Sequence, residues 1–217
     1  MDSLDYDGVC FDMDGVLVQS EEFWVDEQRT HILPTTAPDD DIPVSAITGR
    51  NYREVYDDLV AEYDVAVSRA TFEELFETAG EHIYGEEARL LDGAHDLLSA
   101  LRARAVPLAL TTSSPHEWIA LVDDRFGLLD HFDVVVSADD VDRGKPAPDI
   151  YERGAAELGV EPDACVAVED SASGAQAATA AGLYTLGFRG DGDDADLAVA
   201  DEVVSGVDEL RRALLGE

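Results

Sequence analysis

Short apolar runs and amphipathic helical patterns alternate along the chain from about residue 92 onward. The runs are apolar at consecutive positions, which is typical of strands that helices cover on both faces. Strands that alternate with helices predict an α/β fold with a parallel sheet and crossover helices. The predicted strands are residues 8–11, 107–111, 133–137, 165–168, 184–188 and 202–204, and the predicted helices are residues 94–104, 115–125, 148–158, 172–181 and 207–215.

Residues 19–91 have a different pattern. They contain no convincing strand, but amphipathic helical patterns occur near residues 20–33, 51–64 and 71–84. A loop with prolines and acidic residues, 34–43, separates the first two patterns, and Thr71–Glu74 ("TFEE") has the spacing of a capping box at the start of the third. We therefore expect an all-helical insert at residues 19–91, inside a core formed by residues 1–18 and 92–217.

The high negative charge of the chain makes some classes of binding partner unfavourable. It has 49 acidic and 14 basic residues and a formal net charge of −35, with the acids scattered along the sequence. Such a surface repels nucleic acid and anionic lipid, so neither is an expected partner. Its self-repulsion destabilises a compact state in dilute buffer but is largely screened at molar salt. This composition favours a halophilic protein over an acidic mesophilic one.

The two cysteines and the apolar runs indicate a cellular compartment. Cys10 and Cys165 lie inside apolar runs, which favours two buried free thiols over a disulfide or a metal pair. No run approaches the length of a membrane span, and the N-terminus lacks the basic start and apolar stretch of a signal peptide. We expect a soluble cytoplasmic protein, monomeric or weakly dimeric.

Polar residues follow the predicted strands. "DMDG" (residues 12–15) follows the first strand, "TTSS" (111–114) the second and "EDSASG" (169–174) the fourth. Lys145, the only lysine of the chain, lies on the connection between the third and fourth strands. Ligands of open α/β sheets bind outside the carboxyl ends of the strands, so these groups are expected at one edge.

The residue types at this edge are those that phosphoryl transfer needs. Four carboxylates there repel one another and require a cation, and Mg²⁺ is a hard ion that carboxylates and waters bind. Lys145 and the donors around Thr112 and Ser113 would stabilise the charge of the transferred group. Asp12 and Asp14 are two residues apart, so one could act as nucleophile while the other handles protons. The four carboxylates are those of Asp12, Asp14, Glu169 and Asp170.

Four segments resemble the sequence motifs of the haloacid dehalogenase-like hydrolase superfamily, in its helical-cap subgroup of phosphoglycolate phosphatases and beta-phosphoglucomutases. They are "FDMDGVLVQSE", "LALTTSS", "GKPAPDIY" and "VAVEDSASG", in the family's order. The resemblance implies a Rossmann-like, doubly wound parallel sheet with an inserted helical cap. The family's dehalogenases and phosphonatases lack the second aspartate, so Asp14 favours its phosphatases.

The resemblance also implies roles for the matching residues. Asp12 would attack phosphorus and become an aspartyl phosphate, and Asp14 would protonate the leaving oxygen and then accept a proton from water. Thr112 and Ser113 would bind the phosphate, and Lys145 would bridge nucleophile and phosphate. Mg²⁺ would be held by Asp12, Asp170 and the backbone carbonyl of Asp14, with Glu169 nearby or ligating.

Residues of the predicted insert bear on the substrate. Beta-phosphoglucomutases carry a histidine in the first cap helix, where this chain has Trp24, and this difference weakens a mutase assignment. Arg50 and Arg53 lie at the start of the second helical pattern, where related enzymes place substrate-contacting groups. Each could hold a second anionic group of a substrate or could pair with surface acids.

The leading hypothesis is a Mg²⁺-dependent phosphatase of a small phosphorylated metabolite, of sugar-phosphate or phosphoglycolate type, acting through an aspartyl phosphate. The alternative is a sugar phosphomutase of the same fold. A phosphoacceptor signalling module is disfavoured because such modules are shorter and lack the insert. A non-catalytic binding protein is disfavoured because every motif position holds a competent residue.

Overall fold

The computed structural model describes residues 4–47, 50–190 and 196–216. In chain order its strands are β1 (Gly8–Phe11), β2 (Val18–Gln19), β3 (Arg89–Leu90), β4 (Leu108–Thr112), β5 (Val134–Ser137), β6 (Cys165–Glu169), β7 (Tyr184–Arg189) and β8 (Glu202–Ser205). Its α-helices are α1 (Glu21–Glu27), α2 (Leu33–Thr36), α3 (Tyr52–Glu62), α4 (Arg69–His82), α5 (Ala94–Ala103), α6 (His116–Phe126), α7 (Asp149–Leu158), α8 (Ala172–Ala181) and α9 (Gly206–Leu215).

Six strands form one parallel sheet in the order β5-β4-β1-β6-β7-β8. The chain leaves β1 toward β4 and β5 and then returns to build β6, β7 and β8 on the other side. The order therefore reverses beside β1, and a crevice for ligands is expected at the carboxyl ends of β1 and β6. The predicted α/β fold is confirmed, and each predicted sheet strand lies within one residue of its observed bounds.

The two faces of the sheet bury residues of different size. Large side chains of the central strands pack on one face with α5, α6 and α9, and small side chains pack on the other with α7 and α8. The large residues are Val9, Phe11, Leu108, Leu110, Val166 and Val168, and the small ones are Cys10, Ala109, Cys165 and Ala167. Helices α7 and α8 therefore approach the sheet closely. Both cysteines are buried and free, as expected.

The segment between β2 and β3 is helical in its described part, but its details differ from the expectation. The first pattern is divided among α1, a π-helical turn at Gln28–Ile32 and α2, so helix extends into the region predicted as a loop from residue 34. Helix α4 begins at Arg69, because the side chain of Ser68 caps it by accepting the backbone N–H of Thr71 at 3.2 Å. The prediction of Thr71 as the capping residue was wrong.

A short antiparallel pair of strands, β2 and β3, joins the two ends of the helical segment. Val18 pairs with Leu90 and Gln19 with Arg89. The expectation of no strand within residues 19–91 was therefore wrong at Gln19 and at Arg89–Leu90. A strand of two residues is too short for a detectable period, since alternation needs several positions. Among the described residues, no helix is long and apolar enough to cross a membrane.

Candidate active site

Lys145 connects two carboxylates at the carboxyl edge of the sheet. Its Nζ donates to Asp12 Oδ1 at 2.8 Å, to Glu169 Oε1 at 2.5 Å and to the carbonyl of Thr111 at 3.1 Å. Asp12 follows β1, Glu169 ends β6 and Thr111 lies in β4, so the ammonium is held by three adjacent strands. The lysine is only 4% exposed. The chain thus brings its single lysine to the acids that were predicted to surround it.

Burial and neighbouring charges shift the pKa values of Lys145 and Asp12 in opposite directions. Burial alone would lower the pKa of Lys145, but the charges of Asp12 and Glu169 outweigh it and raise that pKa above its usual value. Burial raises the pKa of Asp12 to about 8, against the lowering effect of Lys145. The ammonium of Lys145 therefore does not offset the effect of burial on Asp12.

The acidic cluster fits a hard cation. Carboxylate oxygens of Asp12, Glu169 and Asp170 lie within 4.8 Å of one another, and all three residues are buried. Gly15, at a positive φ of 73°, leaves space for the Asp170 carboxylate, because a Cβ at that position would collide with it. Carboxylate oxygens are the protein ligands that Mg²⁺ prefers. The positive charge of a divalent ion would oppose the burial and, to a smaller extent, the charges of Glu169 and Asp14 that raise the pKa of Asp12.

Among the residues that the structure describes, four donors contact the carboxylate of Glu169. Its Oε1 accepts from Lys145 and from the Tyr151 hydroxyl, each at 2.5 Å, and its Oε2 accepts from the Ser171 hydroxyl at 3.2 Å and the Ser171 N–H at 3.4 Å. An ionised carboxylate offers about four lone-pair sites. These contacts favour a role in orienting Lys145 over direct metal ligation.

Three hydroxyl groups hold the carboxylate of Asp14. Ser20 donates to its Oδ1 at 2.5 Å, Tyr84 to the same oxygen at 2.8 Å, and Ser114 to its Oδ2 at 2.8 Å. The indole N–H of Trp24 donates in turn to the Tyr84 oxygen at 3.1 Å. Burial raises the pKa of Asp14, and these three hydrogen bonds oppose the shift. Asp14 is thus fixed in orientation from both the helical segment and the sheet edge.

Sequence reasoning did not find Ser20 or Tyr84. Ser20 lies within the first motif, six residues after Asp14, so its position beside Asp14 had a local signal. Tyr84 is 70 residues from Asp14, in the π-helical turn Ile83–Glu87, and no pattern in the sequence connects the two. Burial raises the pKa of Tyr84 well above its usual value, so the phenol stays protonated and remains a donor.

A cavity of about 760 Å³ lies over these groups. Its floor includes the predicted site residues Asp12, Asp14, Thr112, Ser113, Lys145 and Asp170. Thr112 ends β4, and its hydroxyl oxygen accepts the backbone N–H of Ser114 at 3.1 Å. Glu169 is not among the described residues that line the cavity and lies beneath Lys145, fully buried.

The two predicted arginines lie in different surroundings. Arg50 lines the cavity and pairs with Asp58 at 2.6 Å. Arg53 is not among the described residues of the cavity wall and instead forms an ion pair with Asp139. Beside it, Glu54 Oε1 accepts the N–H of Gly144 at 3.0 Å. Helix α3 therefore contacts the loop that carries Lys145. Substrate binding by Arg50 or Arg53 stays a prediction.

Five aromatic rings form part of the cavity lining. Trp118 of α6 lies 5.0 Å from Trp24, 5.5 Å from Tyr52 and 5.4 Å from Tyr84, measured between ring centroids. Phe76 stacks on Tyr52 at 5.0 Å and on Trp24 at 5.8 Å. We call these five residues the aromatic wall. Its members come from α1, α3, α4, α6 and the turn after α4, so it connects the helical segment to α6, which packs on the sheet.

Comparison with known proteins agrees with this geometry. A family model of haloacid dehalogenase-like hydrolases matches residues 6–182. The chain is 33% identical to validoxylamine A 7'-phosphate phosphatase of Streptomyces hygroscopicus subsp. limoneus, with 97% of this chain and 99% of that protein covered. It is 32% identical to hexitol phosphatase A of Escherichia coli (strain K12), with 94% and 92% covered.

The fold of the chain is also similar to that of a solved structure. A HAD family hydrolase from Deinococcus radiodurans R1, with bound phosphate and sodium, matches with a TM-score of 0.71 and 30% identity, over 98% of this chain and 96% of that chain. The family model and the two relatives, both named as phosphatases, assign the chain to the phosphatase class of enzymes, and the carboxylates and lysine at the carboxyl edge of its sheet are consistent with that class. The chain belongs to the haloacid dehalogenase-like hydrolase family, and the assignment from its four motifs is confirmed.

Proposed function

We propose that this chain is a Mg²⁺-dependent phosphatase that hydrolyses a small phosphorylated metabolite, of sugar-phosphate or phosphoglycolate type, through an aspartyl phosphate. The observation that carries the proposal is the placement of Asp12, Lys145 and the held carboxyl of Asp14 on the floor of one cavity. Nucleophile, positive charge and proton donor are the three components that this reaction needs. The named curated relatives, which are phosphatases, support the same reaction class.

In the first step, Asp12 attacks phosphorus, and the bond from phosphorus to the leaving oxygen breaks. Asp14 gives its proton to that oxygen, and burial favours the protonated form that this step requires. Lys145 neutralises the developing charge from its fixed position beside Asp12. In the second step Asp14 accepts a proton from water, the water oxygen attacks phosphorus, and the carboxylate of Asp12 is released with inorganic phosphate.

Asp12, Asp170 and the backbone carbonyl of Asp14 would hold Mg²⁺, with Glu169 close by as the anchor of Lys145. The ion would supply positive charge to the transferred group and to the acidic cluster. Thr112 and Ser113 would donate hydrogen bonds to the phosphate oxygens, since both line the cavity beside Asp12.

We also propose that residues 19–91 form a cap over a core of residues 1–18 and 92–217. The aromatic wall and the contact of Glu54 with Gly144 support this division, because both join the helical segment to the sheet edge around the cavity.

The composition of the chain supports proposals about its setting. The high net negative charge supports a halophilic protein, and two free buried thiols support a reducing, cytoplasmic setting. A monomer or weak homodimer remains our expectation.

Product analysis tests the proposal against the mutase alternative. The protein is incubated with glucose 1-phosphate isomers at high salt with Mg²⁺. A phosphatase releases inorganic phosphate, whereas a mutase yields glucose 6-phosphate. We expect phosphate, because the cap position that holds a histidine in the mutases holds Trp24, whose indole N–H is engaged with Tyr84. Accumulation of glucose 6-phosphate without free phosphate would overturn the proposal.

A further inference from the structure

Ser137 carries a buried hydroxyl at the carboxyl end of β5. The residue is 0% exposed, pairs in register with Thr112 of β4 and is not among the described residues that line the cavity. Its Oγ accepts the backbone N–H of Asp139 at 3.1 Å and donates to the carbonyl of Ser114 at 2.8 Å. The single proton of this hydroxyl therefore goes to a residue that lies 23 positions away in the sequence.

This contact helps to fix a loop of the active site. The backbone N–H of Ser114 donates to the hydroxyl oxygen of Thr112 at 3.1 Å, and the backbone carbonyl accepts from Ser137. Hydroxyls at the ends of two adjacent strands thus hold both polar groups of the Ser114 backbone. The side chain of Ser114 in turn donates to Asp14 Oδ2 at 2.8 Å. A continuous chain of hydrogen bonds therefore runs from Ser137 through Ser114 to Asp14.

Capping of the next turn does not account for the hydrogen bond that Ser137 donates. A short 3₁₀ turn, Ala138–Asp140, follows β5, and Ser137 caps it as the acceptor of the Asp139 N–H. Asp140 closes the same turn, because its Oδ2 accepts the N–H of Ser137 at 2.8 Å. Capping of this kind uses a lone pair of the side-chain oxygen. The proton of the hydroxyl serves the contact with Ser114 instead.

The two oxygens of the Asp14 carboxyl have different donors. Ser20 and Tyr84 both contact Oδ1, whereas the described donor to Oδ2 is Ser114. A buried carbonyl that loses its donor carries a large desolvation cost, so the Ser114 backbone is expected to move without Ser137. The Oδ2 contact would move with it. Proton transfer needs the acid within hydrogen-bond reach of the leaving oxygen, and small displacements of a catalytic group are costly.

We propose that Ser137 is a positioning residue for the acid–base step. It acts through Ser114 to keep the carboxyl of Asp14 in the orientation that its proton transfer requires. This inference rests on the proposed phosphatase function, because it concerns the proton that Asp14 gives to the leaving oxygen. Loss of the Ser137 hydroxyl should therefore slow hydrolysis most where the leaving group needs a proton.

The test compares two phosphate esters of similar size that differ in their leaving groups. Benzyl phosphate releases an alcohol and needs a proton from an acid, whereas p-nitrophenyl phosphate releases a stabilised phenolate and needs little help. The readout is the ratio of kcat/KM for benzyl phosphate to kcat/KM for p-nitrophenyl phosphate, measured on the full chain at high salt with Mg²⁺. A change in phosphate binding affects both esters alike and cancels from this ratio.

We expect Ser137→Ala to lower the ratio about fivefold, which is within the range for one lost hydrogen bond. Ser137→Thr keeps the hydroxyl and should keep the ratio within about twofold of the wild type. If the alanine variant does not fold, Ser137→Cys replaces it, because a thiol of similar size is only a weak donor. The ratio should fall in that variant as well.

Thr185→Val is the matched control for a buried hydroxyl. Thr185 lies in β7, is 0% exposed and is not among the described residues that line the cavity, and its hydroxyl contacts that of Thr179 at 3.1 Å. Thr185→Val and Ser137→Ala should both lower the midpoint of thermal unfolding, since each removes a hydrogen bond. The ratio should change in Ser137→Ala alone, which separates a positioning role from a structural one.

A double-mutant cycle with Ser114→Ala tests the route to Asp14. Once Ser114 lacks its hydroxyl, Ser137→Ala should change the ratio less than about 1.5-fold, because residues that act in series are not additive. An equal effect in both backgrounds overturns the route through Ser114.

The remaining outcomes distinguish this inference from the proposed function. A fall of less than about twofold in Ser137→Ala, or an equal fall in Thr185→Val, overturns the inference and leaves the phosphatase proposal standing. A wild type that hydrolyses p-nitrophenyl phosphate but not benzyl phosphate has the same consequence, because Asp14 then assists no alcohol leaving group. A wild type that hydrolyses neither ester overturns both.

Discussion

The floor and the aromatic wall of the cavity are built in different ways. Most residues of the floor lie at or directly after the carboxyl ends of parallel strands, such as Asp12 after β1 and Thr112 at the end of β4. The wall consists of rings from four helices and a turn, which lie far apart in the sequence. A strand end fixes where its side chain lies, whereas a helical side chain is placed only by packing. The position of the floor residues is therefore encoded locally in the sequence, and the position of the aromatic wall is not.

Replacement of the single lysine tests the floor most severely. Lys145→Arg keeps the charge, but the larger planar guanidinium does not fit a buried position surrounded by Asp12, Glu169 and the carbonyl of Thr111. We expect kcat/KM to fall roughly 100- to 1,000-fold, as when a site electrostatic contact is lost. The measurement is steady-state kinetics with p-nitrophenyl phosphate.

Arg143→Lys is the matched control for that variant. Arg143 is two residues away, is exposed and pairs with Asp149, so the reverse exchange should leave the rate within about twofold, as for other surface changes. Nearly normal turnover in Lys145→Arg would refute the special role given to this ammonium.

Tyr84 lies where the wall meets the floor, and its removal should give an intermediate effect. Tyr84→Phe deletes one of the three donors that orient Asp14. We expect kcat/KM for an alkyl phosphate to fall about 10-fold. An aryl phosphate should lose less, because its leaving group needs little protonation.

The same deletion at Tyr6 serves as the comparison, because its hydroxyl bonds to the carbonyl of Leu214 far from the cavity lining. Equal losses for alkyl and aryl substrates in Tyr84→Phe would show that this tyrosine does not act through Asp14.

A glycine pair tests the packing of the wall alone. Gly80 of α4 lies against Trp118, and a Cβ there would collide with the indole. Gly80→Ala should therefore lower the free energy of unfolding by about 1–3 kcal/mol, the usual cost of overpacking. Gly85 has open space around it, so Gly85→Ala should raise that free energy by up to about 1 kcal/mol. Denaturant titration measures both, and a stabilised Gly80→Ala would contradict the described contact.

Salt concentration should affect the repulsion among surface acids but not the interactions of the buried charges. Raising NaCl from 0.1 M to 1 M shortens the screening length from about 10 Å to about 3 Å, which weakens repulsion among exposed acids. We expect the thermal midpoint to rise by several degrees. The rate ratio of wild type to Lys145→Arg should stay constant, since the lysine side chain is buried and little screened. A midpoint that is highest in dilute buffer would contradict the proposal of a halophilic protein.

The sequence was most informative where local pattern decides structure. Consecutive apolar residues predicted the sheet strands to within one residue, and the rule on strand ends placed Asp12 and Lys145 together although 133 residues separate them. It was least informative in the helical segment. Thr71 had capping-box spacing, yet the helix starts two residues earlier because Ser68 offers a cap in extended backbone geometry. The contact of Tyr84 with Asp14 depends on how helices pack, and amphipathic periodicity does not specify that.

The most direct test of the central claim is to trap the covalent intermediate. Asp14→Asn removes the group that accepts a proton from water, while an aryl phosphate needs little help from an acid to leave. The variant is incubated with p-nitrophenyl phosphate and Mg²⁺ at high salt, quenched in acid and digested for mass spectrometry. The account predicts one added phosphoryl group on the peptide that contains Asp12, and none when Asp12→Asn is combined with it. Release of phosphate with no phosphoryl group on that peptide would contradict it.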